Sequence, residues 1–198
     1  RERVRMRTGQ MMMRHAAFAA LALAATAFQA FPALAADFTV TGPGLADGAP
    51  VPQAMILSGL GCTGGNLSPE LHWSDAPAGT RSFAVTLYDP DAPTGSGFWH
   101  WVAFDIPGNA DGLKEGAGDP ERKAAPQGMQ MGQNDFGAKA YGGPCPPAGG
   151  GVHRYEIVVH ALRVAKLPEG AGTTAALTGF MINGAELARA KVTLTLGR

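Results

Sequence analysis

Glycine and proline are the feature that most restricts the fold of this sequence. The chain has 198 residues, of which 28 are glycine and 15 are proline. Because proline removes a backbone donor and glycine weakens helix interiors, this composition excludes a coiled coil. The combined fraction is still below the level typical of disordered low-complexity chains. The sequence therefore predicts a loop-rich globular domain.

The N-terminal segment has the pattern of a secretory signal peptide. A positive start, Arg14-His15, precedes an apolar run over 16–28 and the small-residue motif Ala33-Leu34-Ala35. We expect cleavage after Ala35, with residues 1–10 an upstream extension. Residues 36–198 would then form a single domain in the periplasm or outside the cell.

An uncleaved anchor is the alternative to this signal peptide. The apolar segment is barely long enough to span a bilayer, and Gln29 and Pro32 interrupt it. Residues 1–35 hold five of the 16 basic residues and one of the 16 acidic ones, so residues 36–198 carry 11 basic and 15 acidic side chains. A mildly acidic domain has no electrostatic reason to bind nucleic acid or an anionic membrane.

The sequence contains two cysteines, Cys62 and Cys145. After export they would lie in an oxidising compartment. An even count without CxxC spacing favours one structural disulfide over a metal or redox site. Two free buried thiols are the alternative that the residues alone leave open.

Periodicity after the signal segment indicates β-structure. The longest predicted strands are 82–88, 99–106 and 154–162, and the third is almost wholly apolar, which predicts an interior position. Shorter strands are predicted at 38–41, 71–73 and 192–196. One helix is predicted over 173–191, with 185–191 as its best part. The fold class is mainly β, a sandwich or barrel with small helical additions.

Polar and aromatic side chains gather at the ends of these predicted strands. Two carboxylates follow the first long strand, an imidazole opens the second, and another imidazole opens the third. Side chains alternate along a strand, so positions 153 and 155 share one face. These side chains are Asp89, Asp91, Trp99, His100, His153 and Tyr155. Together they suit a small polar pocket with an aromatic wall.

Several kinds of chemistry could use this set of side chains. No HExxH-type spacing supports a metal site, so no metal or other cofactor is expected. A hydrolase would need a nucleophile, and the sequence has no GxSxG elbow. A binding pocket needs neither. In such a pocket, imidazole donors and backbone N–H groups of the glycine loops would hold a small anion or polar headgroup.

Five ordered motifs resemble the signatures of the phosphatidylethanolamine-binding protein family, in its bacterial, Raf-kinase-inhibitor-like branch. The motifs are Asn66-Leu67-Ser68-Pro69-Glu70-Leu71-His72-Trp73, Leu87-Tyr88-Asp89-Pro90-Asp91-Ala92-Pro93, Trp99-His100-Trp101-Val102, Asn134-Asp135-Phe136-Gly137, and Gly143-Pro144 with His153-Arg154-Tyr155. The resemblance covers most of the chain from residue 38 to residue 198.

This resemblance implies a β-sandwich-like fold of two sheets, with a few short helices and a small pocket near one end. It also implies a non-enzymatic protein that binds anions or phosphate-bearing headgroups and regulates a partner protein. Carried over by position, the implied pocket residues are Asp89, Asp91, Pro93, Trp99, His100, Gly143, Pro144, His153 and Tyr155. An acid–base hydrolase using the Asp/His cluster and an inhibitor of a protease or kinase are the alternatives.

The resemblance also brings the loops of Cys62 and Cys145 together at the pocket mouth, which implies a disulfide that clamps the rim. The implied pocket contains two aspartates but no lysine or arginine. We therefore expect Asp89 and Asp91 to repel each other and share a proton, which raises one apparent pKa. A carboxylate could also orient a histidine and favour its cationic form.

Overall fold

The computed structural model describes residues 36–198, so the predicted signal peptide and its cleavage after Ala35 lie outside the described residues. In order, the elements are β1 (Thr39–Thr41), β2 (Ser58–Gly59), β3 (Cys62–Thr63), β4 (Leu71–Ser74), β5 (Ser82–Asp89), β6 (Phe98–Pro107), β7 (Gly112–Leu113), β8 (Gln130–Met131), β9 (Val152–Leu162), α1 (Ala175–Ala185) and β10 (Glu186–Gly197). Among these residues, no helix is long and apolar enough to cross a membrane.

A five-stranded antiparallel sheet forms the centre of the fold, in the order β10-β9-β5-β6-β8. Strand β5 is paired on both sides and almost entirely buried. Strand β9 is buried over most of its length and lies between β10 and β5. Its apolar sequence predicted this interior position, because a strand covered on both faces needs apolar side chains on both.

A second sheet, in the order β1-β4-β7, packs over one face of the five-stranded sheet. Leu71 and Trp73 of β4 are buried against Phe83 of β5, and the Trp73 and Phe83 rings lie 5.1 Å apart. A two-stranded sheet, β2-β3, is not hydrogen-bonded into either of these sheets. The predicted fold class, a mainly β sandwich-like domain, is confirmed.

Helix α1 packs against the five-stranded sheet through a separate apolar cluster. Its Ile182 is fully buried with Ala84, Val102 and Leu162 of the sheet. The helix begins after Thr174, whose hydroxyl accepts a hydrogen bond from the Leu177 N–H. This side-chain acceptor satisfies one of the donors left free in the first turn.

The helix prediction was wrong at its C-terminal end. The helix stops at Ala185, and residues 186–191 of the predicted segment 185–191 belong to β10 rather than to a helix. Here Ala190 pairs with Val159, and burial alternates along much of the strand. Pairing satisfies the backbone edge that β9 would otherwise expose. That gain outweighs a local helix propensity of a few tenths of a kcal/mol per residue.

Candidate ligand-binding site

The end of β5 and the start of β9 bring a carboxylate and an imidazole together. Nδ1 of His153 lies 2.8 Å from Oδ2 of Asp89, and both side chains are about 95% buried. The other oxygen of Asp89 accepts a hydrogen bond of 2.8 Å from the Asp91 N–H. The carboxylate is therefore fixed on both oxygens and holds the His153 ring in one orientation.

His100 enters the same region from β6. Its Nδ1 lies 2.8 Å from the Gly142 carbonyl oxygen, which can only accept, so Nδ1 carries a hydrogen. Burial is the main cause that lowers the pKa of His100. The neutral ring is favoured, and its Nε2 is left as an acceptor. The Gly142 N–H in turn donates to the His100 carbonyl oxygen at 3.0 Å.

Tyr155 lies close to both imidazoles and is fully buried. Its ring centroid is 5.5 Å from that of His100 and 6.5 Å from that of His153. Burial, followed by the negative charge of Asp89, raises the pKa of Tyr155. Its hydroxyl lies near the Asp89 carboxylate but makes no hydrogen bond of acceptable geometry with any atom of residues 36–198. A buried hydroxyl without a partner is costly, so this one requires an explanation.

The backbone donors of the glycine loop beside this centre already have partners within the protein. The Gly142 N–H donates to the His100 carbonyl at 3.0 Å and the Gly143 N–H donates to Oδ1 of Asn66 at 2.8 Å, while the Pro144 carbonyl accepts from the Leu57 N–H at 3.0 Å. A Cβ on Gly143 would lie 2.2 Å from the Met55 carbonyl oxygen. The expectation that backbone N–H groups here hold an anion is therefore wrong for Gly142 and Gly143. These residues shape the rim instead.

Asp91 does not share a proton with Asp89. Its carboxylate accepts hydrogen bonds from the Arg154 N–H at 2.9 Å, from Nε at 2.8 Å and from Nη2 at 2.7 Å. The Arg154 side-chain bonds are the main cause that lowers the pKa of Asp91, to about 2. The proton-sharing hypothesis is therefore wrong, because a guanidinium that the sequence analysis overlooked neutralises this carboxylate.

Trp99 lies on the opposite face of the sheet from His100. Neighbouring residues of a strand point to opposite faces. The Trp99 ring contacts Tyr88, with centroids 4.6 Å apart, and a Cβ on Gly179 of α1 would lie 3.5 Å from it. Trp99 therefore does not form the aromatic wall that the sequence predicted. Pro93, also predicted for the site, is exposed in the loop after β5.

The aromatic wall beside His100 is formed by Phe98 and Phe136. The Phe98 ring lies 5.0 Å from His100 and 4.7 Å from Phe136. The Asp135 carboxylate accepts from the Trp99 N–H at 2.7 Å, which fixes the loop that carries Phe136. Sequence analysis could have found Phe98, because positions 98 and 100 share one face of β6.

A disulfide joins Cys62 in β3 to Cys145 in the rim loop, 83 positions later. Among residues 36–198 there is no free cysteine, so the two-thiol alternative is not what the structure contains. Cys145 directly follows Pro144. The bond therefore ties the rim loop covalently to the β2–β3 hairpin.

A buried Asp–His pair, a buried histidine whose pKa is lowered and an unpaired hydroxyl lie together at one end of the β-sandwich. The family model described as phosphatidylethanolamine-binding protein matches residues 41–197. The chain belongs to this family, and family membership supports a binding protein.

Two Escherichia coli K12 proteins are clearly related to the chain. YbcL is 46% identical over 167 residues, which is 84% of this chain and 91% of YbcL. YbhB is 44% identical over 149 residues, covering 75% of this chain and 93% of YbhB.

Two solved structures share the fold. The crystal structure of E. coli YbcL, titled a new member of the mammalian PEBP family, has a TM-score of 0.79 at 44% identity, covering 82% of this chain and 99% of YbcL. The PEBP homologue CT736 of Chlamydia trachomatis has a TM-score of 0.66 at 27% identity, covering 81% of this chain and 97% of CT736.

Proposed function

We propose that this protein is a non-enzymatic binding protein that holds a small anion or a phosphate-bearing headgroup. The observation that carries the proposal is the buried Tyr155 hydroxyl, which has no hydrogen-bond partner among residues 36–198. Leaving such a group unpaired costs about 1–3 kcal/mol. A ligand oxygen that accepts its hydrogen would remove this cost.

The surrounding groups suit a phosphate-type ligand. Tyr155 donates, and Asp89 holds the His153 ring through Nδ1, which leaves Nε2 of His153 for the ligand. Neutral His100 accepts at Nε2, which suits a ligand with a hydrogen of its own, such as a hydrogen phosphate or an ethanolamine ammonium.

The location and partners are part of the same proposal. The signal pattern before Ala36 supports a protein of the periplasm or the cell exterior. We propose that it acts without a cofactor. The exposed rim, with the aromatic Phe136 at its edge, would present an occupied pocket to a protein partner. Binding of such a partner would then depend on whether the ligand is bound.

Tyr155→Phe tests the proposal, with Tyr141→Phe as the matched control. Tyr141 is also buried, but its hydroxyl donates to the Met55 carbonyl at 2.8 Å. We expect Tyr155→Phe to keep or raise the stability of the ligand-free protein and to weaken phosphate and phosphoethanolamine binding about ten- to a hundredfold. Tyr141→Phe should lose about 1 kcal/mol of stability and keep its affinity.

Binding is measured by calorimetry and by the ligand-induced rise in melting temperature. A ligand at a hundredfold excess over its dissociation constant stabilises the protein by about 2.7 kcal/mol. Equal protection of both variants would place the site elsewhere. Release of inorganic phosphate from phosphoethanolamine by the wild-type protein, abolished in His153→Gln, would instead support the acid–base hydrolase.

A further inference from the structure

The disulfide lies against a small cleft that the ligand site does not use. The cleft has a volume of about 190 Å³, and its lining includes Gln53, Cys62, Thr63 and Arg198. Cys62 lines this cleft and Cys145 does not. A molecule in the cleft would therefore contact the Cys62 side of the disulfide.

Arg198 places a positive charge beside both sulfurs. Its Nη1 lies 3.3 Å from Sγ of Cys62 and 3.6 Å from Sγ of Cys145. Among residues 36–198, the Arg198 guanidinium forms no ion pair with an aspartate or glutamate side chain. A neighbouring cation stabilises a thiolate, and a more stable leaving thiolate makes a disulfide exchange faster.

We propose that Cys62–Cys145 is a thiol–disulfide exchange site, reached through this cleft by a small thiol that carries carboxylate groups. The Arg198 guanidinium, which no aspartate or glutamate side chain pairs, attracts the carboxylates, and the cleft leads the thiol to Cys62. A purely structural disulfide would need neither the cleft nor the charge.

The exchange step is balanced without a further reactant. The thiolate of the incoming molecule attacks Sγ of Cys62 and forms a new S–S bond. The Cys62–Cys145 bond breaks, and its electron pair passes to Sγ of Cys145, which leaves as a thiolate beside Arg198. A second equivalent of the same thiol can then release Cys62 as a thiol and leave as its own disulfide.

Exchange would also change the rim of the ligand pocket, and this part rests on the proposed function. Cys145 follows Gly143 and Pro144, and these lie next to Gly142, whose carbonyl fixes His100. Without the disulfide, that loop keeps only non-covalent links to the hairpin side, such as Gly143 to Asn66. The freed loop holds His100 less firmly, so phosphate binding weakens on reduction.

The test compares three thiols on the oxidised full chain: glutathione, which carries a net negative charge, neutral 2-mercaptoethanol, and cationic cysteamine. Mixed-disulfide formation is followed by mass spectrometry, with rates corrected for thiol pKa. We expect glutathione to react fastest and at Cys62. Arg198→Gln should slow glutathione about tenfold and remove the preference. Arg122→Gln, which alters an exposed arginine paired with Asp119, is the control and should change nothing.

The results test the exchange site, its coupling to the rim and the proposed function separately. No preference for glutathione, an unaffected Arg198→Gln variant, or a mixed disulfide on Cys145 would overturn the exchange site. Phosphate affinity is then compared for the oxidised protein and a Cys62→Ser/Cys145→Ser variant. Equal affinities would overturn only the coupling to the rim. No phosphate binding by the oxidised protein would overturn the proposed function, while the thiol rates still decide the exchange site.

Discussion

Nδ1 of His153 and Oδ2 of Asp89 lie 2.8 Å apart in a site from which solvent is almost excluded. A second pair in the same chain, His72 and Glu70, has the same 2.8 Å separation, but its side chains are 60% and 44% exposed. The two pairs have the same contact distance and differ in solvation, so their energetic roles differ. An exposed ion pair contributes little, whereas breaking a buried one leaves a polar group without a partner.

Asp89→Asn should lower the free energy of unfolding by about 1–3 kcal/mol, because it removes a charge-assisted hydrogen bond. Glu70→Gln should cost less than about 1 kcal/mol. Denaturant unfolding at pH 7 measures both variants. Similar losses in the two variants would contradict a special role for the buried pair.

The carboxyl group of Asp91 should titrate far below its ordinary value of 3.8, with a pKa of about 2, in a carbon-detected NMR titration. Because the folded pKa is lowered, the stabilisation from this group is complete above pH 3.8 and is lost as the pH falls towards 2. In Arg154→Gln the Asp91 pKa should rise, yet stay below 3.8 because the backbone N–H bond remains. An unchanged pKa would show that Arg154 is not its cause.

Acidification below pH 6.5 should destabilise the protein through His100. Burial lowers the folded pKa of this ring below its ordinary 6.5, so the unfolded chain binds the proton more readily. The free energy of unfolding therefore decreases as the pH falls from 6.5. His100→Gln should show a smaller decrease over the same range in denaturant titrations. Nitrogen NMR of the wild-type ring should also show the hydrogen on Nδ1, and a hydrogen on Nε2 alone would contradict the bond to Gly142.

Reduction of Cys62–Cys145 should destabilise the protein by about 4–5 kcal/mol, because the bond closes a loop between positions 83 apart. Unfolding in denaturant, with and without a strong reductant, measures the difference. Thiol labelling of the unfolded, unreduced protein should find no reactive cysteine in residues 36–198, and two after reduction. Two reactive thiols before reduction would contradict the bond.

The long strands could be predicted closely from the sequence. The predicted 82–88 and 99–106 correspond to Ser82–Asp89 and Phe98–Pro107, because buried strands need runs of apolar and β-branched side chains. The start of β10 could not be predicted in this way. Its charged residues suit a helix locally, and only the partner strand β9, distant in sequence, decides otherwise.

The site was predictable where residue type and strand position act together, as for His153 at the start of β9. It was not predictable where contacts join distant loops. The Asn66–Gly143 bond spans 77 positions and leaves no periodic signal. The prediction of Trp99 as a site residue was wrong because residues 99 and 100 are adjacent in the sequence but point to opposite faces of β6.

The pocket draws its parts from two kinds of structure. Asp89 and His153 stand on β5 and β9, which are hydrogen-bonded to each other in the middle of the sheet, whereas Phe136 and Gly143 belong to loops. Substitutions in the two parts of the site therefore carry different costs. Loop substitutions can change the surroundings of the Asp89–His153 pair while the sheet stays intact, whereas moving that pair would disturb strands of the central sheet and destabilise the fold.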